Sequence, residues 1–485
     1  MTEKQARLAK CLLAAGVFAA LWFSLGHLTE TQRVVAAIFG CTVTLWATEA
    51  LPTAVTALLS TCLLILFAGI EYKVAFGAYG HYIIHLFIGS FIIAKGIETT
   101  GLNKRIAWNI LKQPWATRSP AMLMLTMGAI VLLISSFVSN TATTAMMLPI
   151  VMTLLVALKV DAGDKPYAAG AMLMLTWSAS VAVGTPVSTP PNMIGIGLIE
   201  EATGTRVGFG QWMLFAAPVS LAMLAVAWLI IAVFFRKGSP DVAAGHQAAI
   251  AEAGQLGPLR AGERNVLIAF AVAVLLWLAP DVVPMIAGKE SAAGEFAGRI
   301  NSAVAALLAA GLLFLLPDKD TEQGVTMTWK QARTIDWGTI LLFGGGLALG
   351  DAMFKSGLAK AFGEWAVLTT GANSVWTISF VMIVAAILIS ELASNTASAT
   401  TMVPVAIGLA QGAGVDPTIP AIATTVASSL GFMLPISTAP NAIVYGSGLL
   451  PAKAMMRAGI LIDIAGALIV FGVLRVTLPA LGFGG

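Results

Sequence analysis

The residues best placed to do chemistry are Ser139, Asn140 and Thr141, three small polar side chains within positions 131–158, a run that holds no charged residue. An amide or hydroxyl left without a partner in such surroundings costs roughly several kcal/mol, so these groups must meet something. The triplet returns as Ser394, Asn395 and Thr396, and the flanking sequences SNTATTAMMLP (139–149) and SNTASATTMVP (394–404) share six of eleven positions at an offset of 255. Further along each half lies a second polar break, Pro186-Val-Ser188-Thr189-Pro190-Pro191-Asn192 and Pro435-Ile-Ser437-Thr438-Ala439-Pro440-Asn441. Upstream, Phe87, Gly89, Gly101, Leu102 and Lys104 are echoed at an offset of 256 by Phe343, Gly345, Gly357, Leu358 and Lys360. Three echoes in one order imply internal duplication.

A helix starting at Asn140 or Thr141 turns unpaired N–H groups and a partial positive charge toward the triplet, an end that attracts anions. The preceding arm ends in free carbonyls near Ser135 to Val138, and such oxygens attract a small cation. The break repeats the pairing, with carbonyls near Val183 to Pro186 and a new helix expected at Asn192. Asn395, Thr396, Ser437, Thr438 and Asn441 supply the other half, so a substrate with two acidic ends could bridge the copies. No Lys or Arg falls in 131–158, 168–198, 388–409 or 434–448. A dianion held there by dipoles and hydroxyls alone is under-compensated, and bringing it into a negative cell interior costs about 2.3 kcal/mol per charge per 100 mV. These features point to a carrier that couples an anion to sodium or protons.

The elements that must position these groups are apolar helices. The chain has 58% hydrophobic and 11% charged residues and a mean hydropathy of +0.88, the composition of an all-α polytopic membrane protein. About 11 transmembrane helices and two re-entrant hairpins are expected. The hairpins are Ala121 to Val138 with Ala142 to Leu158, and Val375 to Ala393 with Ala397 to Leu409. Each could instead be two full spans, but a bare Ser-Asn-Thr turn without Gly, Pro or charge is unlike a surface loop. Leu102 to Gln113 suits a helix lying in the interface, and 236–263 reads as a surface linker. Five crossings separate the hairpins, so the second copy is inverted. With the N-terminus cytoplasmic, inside segments hold 18 Lys and Arg and outside segments eight, Lys95 making up the 27, a bias that supports this orientation; a multi-pass protein of the cell inner (plasma) membrane is expected. The basic residues form no stripe interleaved with aromatics, which argues against nucleic acid. Cys11, Cys41 and Cys62 read as packing residues. Four histidines without an H-E-x-x-H motif and the lack of a G-x-S-x-G argue against a metal centre or a hydrolase. A channel needs a continuous polar path, whereas the polar groups here collect at two points.

The paired SNT triplets, the two Ser-Thr-x-Pro-Asn breaks and Thr48-Glu49-Ala50-Leu51-Pro52 resemble the divalent anion/sodium symporter family, di- and tricarboxylate carriers that also include sulfate carriers and exchangers. The resemblance covers nearly the whole chain. It implies a homodimer of elevator-type carriers in the lipid bilayer, with no enzyme activity and no cofactor beyond sodium as coupling ion. It implies sodium symport with a dicarboxylate of the succinate, malate and fumarate class; a dicarboxylate or citrate exchanger or a sulfate carrier of the same fold is the alternative. Carried onto this sequence, substrate contacts fall on Asn140, Thr141, Thr189, Asn395, Thr396 and Thr438. Sodium falls on Ser139, Asn140 and Ser188, and on Ser394, Asn395 and Ser437. The expected division is 1–118 (scaffold helices and interfacial helix), 119–235 (first part of the transport domain), 236–263 (linker), 264–372 (scaffold of the second half) and 373–485 (second part of the transport domain). Ala439, in place of the commoner proline, departs from the family pattern.

Other polar residues have plainer expectations. Thr143, Thr144, Thr400 and Thr401 are expected to bond back to carbonyls of their own helix. Glu391, three residues before the second triplet, could tune a cation site, take a proton or serve as a structural carboxylate. Lys95 and Asp351, equivalent repeat positions, are expected either to pair near the pseudo-two-fold axis or to snorkel separately.

Overall fold

The computed structural model describes residues 2–160, 165–235, 240–371 and 373–483. They form helices and a single isolated β-bridge between Pro317 and Val325. Helices α1 (Glu3–Ser24) and α2 (Glu30–Thr48) each start from a threonine cap whose hydroxyl and backbone are matched by a glutamine, Gln5 and Gln32. Pro52 precedes α3 (Thr53–Ala68), and the short α4 (Tyr72–Gly77) leads to α5 (Tyr82–Thr100) and α6 (Leu102–Leu111). The first hairpin is α7 (Pro120–Ser135) with α8 (Asn140–Ala157), followed by α9 (Lys165–Ser180), α10 (Pro190–Thr203) and α11 (Phe209–Phe234). Next come α12 (Val242–Gln255), α13 (Ala261–Ala287), α14 (Ala292–Gly298), α15 (Ser302–Leu315), α16 (Trp329–Ala332), α17 (Trp337–Lys355) and α18 (Leu358–Thr370). The second copy closes the chain with α19 (Val375–Leu392), α20 (Asn395–Gly412), α21 (Thr418–Ala427), α22 (Ala439–Gly446) and α23 (Ala452–Ala480). Among the described residues eight helices are long and apolar enough to cross a bilayer; α3, α7 and α21 are apolar but shorter.

The upstream echoes have physical causes. Gly101 and Gly357 end α5 and α17 with φ of +78° and +74°, a left-handed conformation that a glycine adopts without strain. Gly89 and Gly345 let a neighbouring backbone come close: a Cβ on Gly89 would lie 2.6 Å from the Ala306 carbonyl carbon on α15, and one on Gly345 2.6 Å from the Ala57 Cβ on α3. Phe87 and Phe343 meet each other, their ring centroids 5.4 Å apart, and mark where α5 and α17 cross. Lys95 and Asp351 therefore do not pair. Each lies eight residues, roughly 12 Å of helix rise, beyond that crossing, and the two helices carry them apart. Lys95 binds Glu98 (2.9 Å) and Asp351 binds Lys355 (2.9 Å), each on its own helix.

The two copies interlock. α10 packs on α20 and α21, α22 on α8 and α9, and α11 on α23. Inside this assembly the buried Thr176 hydroxyl donates to Asn441 Oδ1 at 2.6 Å. Around it, α5 packs on α13 and α15, α17 on α3, and α1 on α2. The expected linker is not a plain tether. Residues 236–239 lie outside the described residues, but α12, capped by Asp241, packs on α6 and α8, and Arg105 on α6 donates to the carbonyls of Leu256, Gly257 and Pro258. α6 is amphipathic as its sequence implied, with Leu102, Ala107, Trp108 and Leu111 buried.

Candidate functional site

Both triplets sit at helix starts, and the same local chemistry builds each. Ser139 caps α8, its Oγ accepting from the Ala142 amide (3.3 Å), and Ser394 caps α20 by accepting from Ala397 (3.2 Å). Thr143 and Ser398 amides go to the cap carbonyls. The amides of Asn140, Thr141, Asn395 and Thr396 have no acceptor among the described hydrogen bonds. Four unfilled donors at two positive helix ends favour an anion there. Thr400 and Thr401 bond back to Thr396 and Ala397 carbonyls, as expected, but Thr143 reaches the Val138 carbonyl at 3.5 Å and the buried Thr144 hydroxyl has no partner.

At the breaks, the helices resume earlier than Asn192 and Asn441. α10 starts at Pro190 and α22 at Ala439, because prolines fit a first turn whose N–H groups would be unpaired anyway. Asn192 and Asn441 instead hold the loops together from behind. Asn192 Nδ2 donates to the Val183 and Thr185 carbonyls and to Ser188 Oγ; Asn441 Nδ2 donates to the Gly431 and Leu434 carbonyls and to Ser437 Oγ. The carbonyls near Val183 to Pro186 are therefore partly spent on Asn192. Glu391 serves as a clip, its two oxygens accepting from the Met433 and Leu434 amides (2.8 and 3.0 Å) and tying the second hairpin to the second break.

A cavity of about 840 Å³ brings the copies together. Ser139, Asn140, Thr141 and Thr189 line one side, and Ser394, Asn395, Thr396, Ser437 and Thr438 the other. Ser188 does not reach the cavity; it is fully buried and donates to the Thr185 carbonyl (2.8 Å). The cavity opens at the end of the molecule that carries Lys10, Glu49, Lys95, Glu98 and Asp336. At the other end of α5, where Tyr82, Ile83 and Leu86 face Pro186, Met193 and Ile196, the space is about 20 Å³, room for about one water and far too small for a dicarboxylate. That end is also tied by polar bonds: Glu200 on α10 accepts from the Tyr82 hydroxyl (2.6 Å) on α5 and from Arg206 Nε (2.6 Å). The molecule is open at one end and shut at the other.

Two serines escaped the sequence reading. Ser135 Oγ donates to Asn140 Oδ1 (2.9 Å) and reaches the Ala179 carbonyl (3.1 Å); Ser390 Oγ donates to Asn395 Oδ1 (2.8 Å) and reaches the Ser428 carbonyl (2.9 Å). Each pins a triplet asparagine to the neighbouring broken helix. Comparing the copies five positions further upstream would have found them, since both are serine at the same offset of 255. Asn395 has a second anchor, Nδ2 to the Ser429 carbonyl (3.1 Å). One residue past Ala179 and Ser428, the hydroxyls of Ser180 and Ser429 are fully buried without partners. Neutral oxygens of asparagine, serine and backbone, two of them orphaned, fit a hard cation such as sodium.

The chain is similar to known proteins over nearly its whole length. Residues 4–481 match the family model of the sodium:sulfate symporter transmembrane region. The sodium-dependent dicarboxylate transporter SdcS of Staphylococcus saprophyticus is 30% identical over 475 residues, 96% of this chain and 89% of its own. The sodium-dependent high-affinity dicarboxylate transporter 3 of Caenorhabditis elegans is 31% identical over 90% of this chain and 82% of its own. In fold, the chain is similar to the YdaH transporter of Alcanivorax borkumensis (TM-score 0.59, 14% identity, covering 91% of this chain and 99% of that one) and to Neisseria gonorrhoeae MtrF (TM-score 0.57, 12% identity, 89% and 94%). With a family model matched over residues 4–481 and a bundle of apolar helices, the chain is a multi-pass membrane transporter of the sodium:sulfate symporter family, the divalent anion/sodium symporters.

Proposed function

We propose that this transporter carries a C4-type dicarboxylate of the succinate, malate and fumarate class into the cell together with sodium. The observation that carries the reading is the cavity itself: four uncommitted amides at two helix starts face it, and the triplets and breaks bring no Lys or Arg to balance a dianion. Asn140, Thr141 and Thr189 receive one carboxylate, and Asn395, Thr396 and Thr438 the other. Sodium at Ser139 and Asn140 with the first break, and at Ser394, Asn395 and Ser437, supplies the missing positive charge. Ser188 acts there through the loop it braces. Two sodium ions cancel the charge of a dianion against the membrane potential, a term of about 4.6 kcal/mol per 100 mV; a third would let the potential drive uptake. The names of the curated relatives support both the sodium and the dicarboxylate.

For movement, we assign residues 119–235 and 373–485 to a body that slides against a scaffold of 1–118 and 264–372, in a homodimer in the plasma membrane. The N-terminus is cytoplasmic, and the open cavity then faces the cytoplasm. Supporting this is the interlock of α10 with α20 and α21 and of α22 with α8 and α9, beside the one-sided closure along α5. The test is uptake into proteoliposomes. Succinate entering vesicles that are empty inside, on an imposed inward sodium gradient, is the expected result. Uptake only into vesicles preloaded with succinate would replace symport with exchange.

A further inference from the structure

The cavity is asymmetric in a way the repeat does not require. On the second-copy side, Ile436 is 84% exposed and Leu392 69% exposed, and both line the cavity. Their equivalents in the first copy are withdrawn: Val187 is 5% exposed, and Phe137 packs edge-on against Phe270 with centroids 4.7 Å apart. Ile436 precedes Ser437 directly and stands two residues before Thr438, which caps α22 through the Asn441 amide (3.2 Å). Leu392 stands two residues before Ser394, which caps α20. With Cα atoms 3.8 Å apart along the chain, each lies within about 8 Å of a helix start that faces the cavity. Large aliphatic side chains standing in a water-filled cavity are unfavourable unless something apolar covers them.

We propose that Ile436 and Leu392 form an apolar wall against the carbon spacer of the bound diacid and select spacers without a hydroxyl. This rests on the dicarboxylate reading above. The carboxylates are held by the helix starts, so the carbons between them cross the middle of the site. A methylene laid on the wall loses no hydrogen bond, whereas a hydroxyl in the same place loses its water and gains no partner. Hydroxylated and further carboxylated substrates are disfavoured for the same reason.

The test compares 2-methylsuccinate with malate, which differ by a methyl against a hydroxyl of similar size, as competitors of sodium-driven succinate uptake in proteoliposomes. The wild-type protein is expected to favour 2-methylsuccinate at least fivefold. Ile436→Thr and, independently, Leu392→Ser should each shrink that ratio threefold or more while sodium dependence is kept. A wild-type ratio near one overturns the proposal, and so does an equal loss for all substrates in both variants, which would mark the two residues as part of the sliding surface. Wild-type protein that moves succinate but ignores the methyl-for-hydroxyl exchange leaves the dicarboxylate reading standing and removes only the wall. Wild-type protein that moves no diacid removes both.

Discussion

The serine clamps give the sharpest quantitative expectation, because the two copies hold their asparagines differently. Replacing Ser135 by alanine removes a buried hydroxyl that touches Asn140 Oδ1 and the Ala179 carbonyl. No described hydrogen bond then orients the Asn140 side chain. Losing one such bond costs about 0.5–1.5 kcal/mol and re-ordering the freed Asn140 side chain at the site about 0.5–1.5 kcal/mol more, so a net loss of about 2 kcal/mol is expected at the first site. That corresponds to about a 30-fold higher sodium requirement. Ser390→Ala should do less, about 1 kcal/mol or roughly fivefold, because Asn395 keeps its bond to the Ser429 carbonyl. The assay is the sodium concentration for half-maximal succinate uptake, with the maximal rate recovered at saturating sodium and the folded state checked by gel filtration. Ser135→Thr, which keeps the hydroxyl, should restore much of the loss. Unchanged sodium dependence in both alanine variants, or a larger effect from Ser390→Ala, would refute the idea that these hydroxyls preorganise the cation sites.

Further outcomes follow from the same geometry. Asn140→Ala and Asn395→Ala should each abolish uptake with little loss of folded protein, measured as transport per folded molecule; wild-type rates in either would contradict the site. Tyr82→Phe removes the hydroxyl that ties α5 to Glu200. A hydrogen bond to a charged group contributes about 1.5–3 kcal/mol, so the shut end should open at least tenfold more often. A cysteine at position 339, which lines the open cavity, should then react more slowly with an impermeant maleimide from the cavity side in a background lacking Cys11, Cys41 and Cys62. Gly89→Val forces side-chain atoms into the α15 backbone and should lower the thermal midpoint through overpacking of about 1–3 kcal/mol, while the same change at Gly16, which has nothing nearby, should not.

Much of the site could be read in advance because it depends on local chemistry repeated along the chain. A serine before an asparagine in an apolar run is a helix cap whether or not its surroundings are known, and prolines in succession interrupt a helix wherever they stand. The starting residue of α10 is not legible in the sequence, because the same prolines that end one helix are tolerated in the first turn of the next. Ser188 resembles Ser139 in sequence, yet only Ser139 reaches the cavity; the bond from the following asparagine does not decide this, since Ser437 accepts the same bond from Asn441 and still lines the cavity. The 236–263 stretch looked like a tether by composition. What gives it structure is Arg105, a residue about 150 positions away, collecting three carbonyls at its end.

What the sequence by itself determined is the duplication, the membrane environment and the identity of the helix ends, because periodicity, hydropathy and capping are properties of neighbouring residues. Only the tertiary structure decided which equivalent residues meet. Two copies packed about a pseudo-axis bring together residues near that axis, Phe87 and Phe343, and drive apart those further out, Lys95 and Asp351, whatever their charges would prefer. The same packing breaks the symmetry that the repeat implies, leaving one end of the molecule open and Ile436 exposed where Val187 is buried. That asymmetry comes from the packing of whole helices, which neighbouring residues along the chain do not determine.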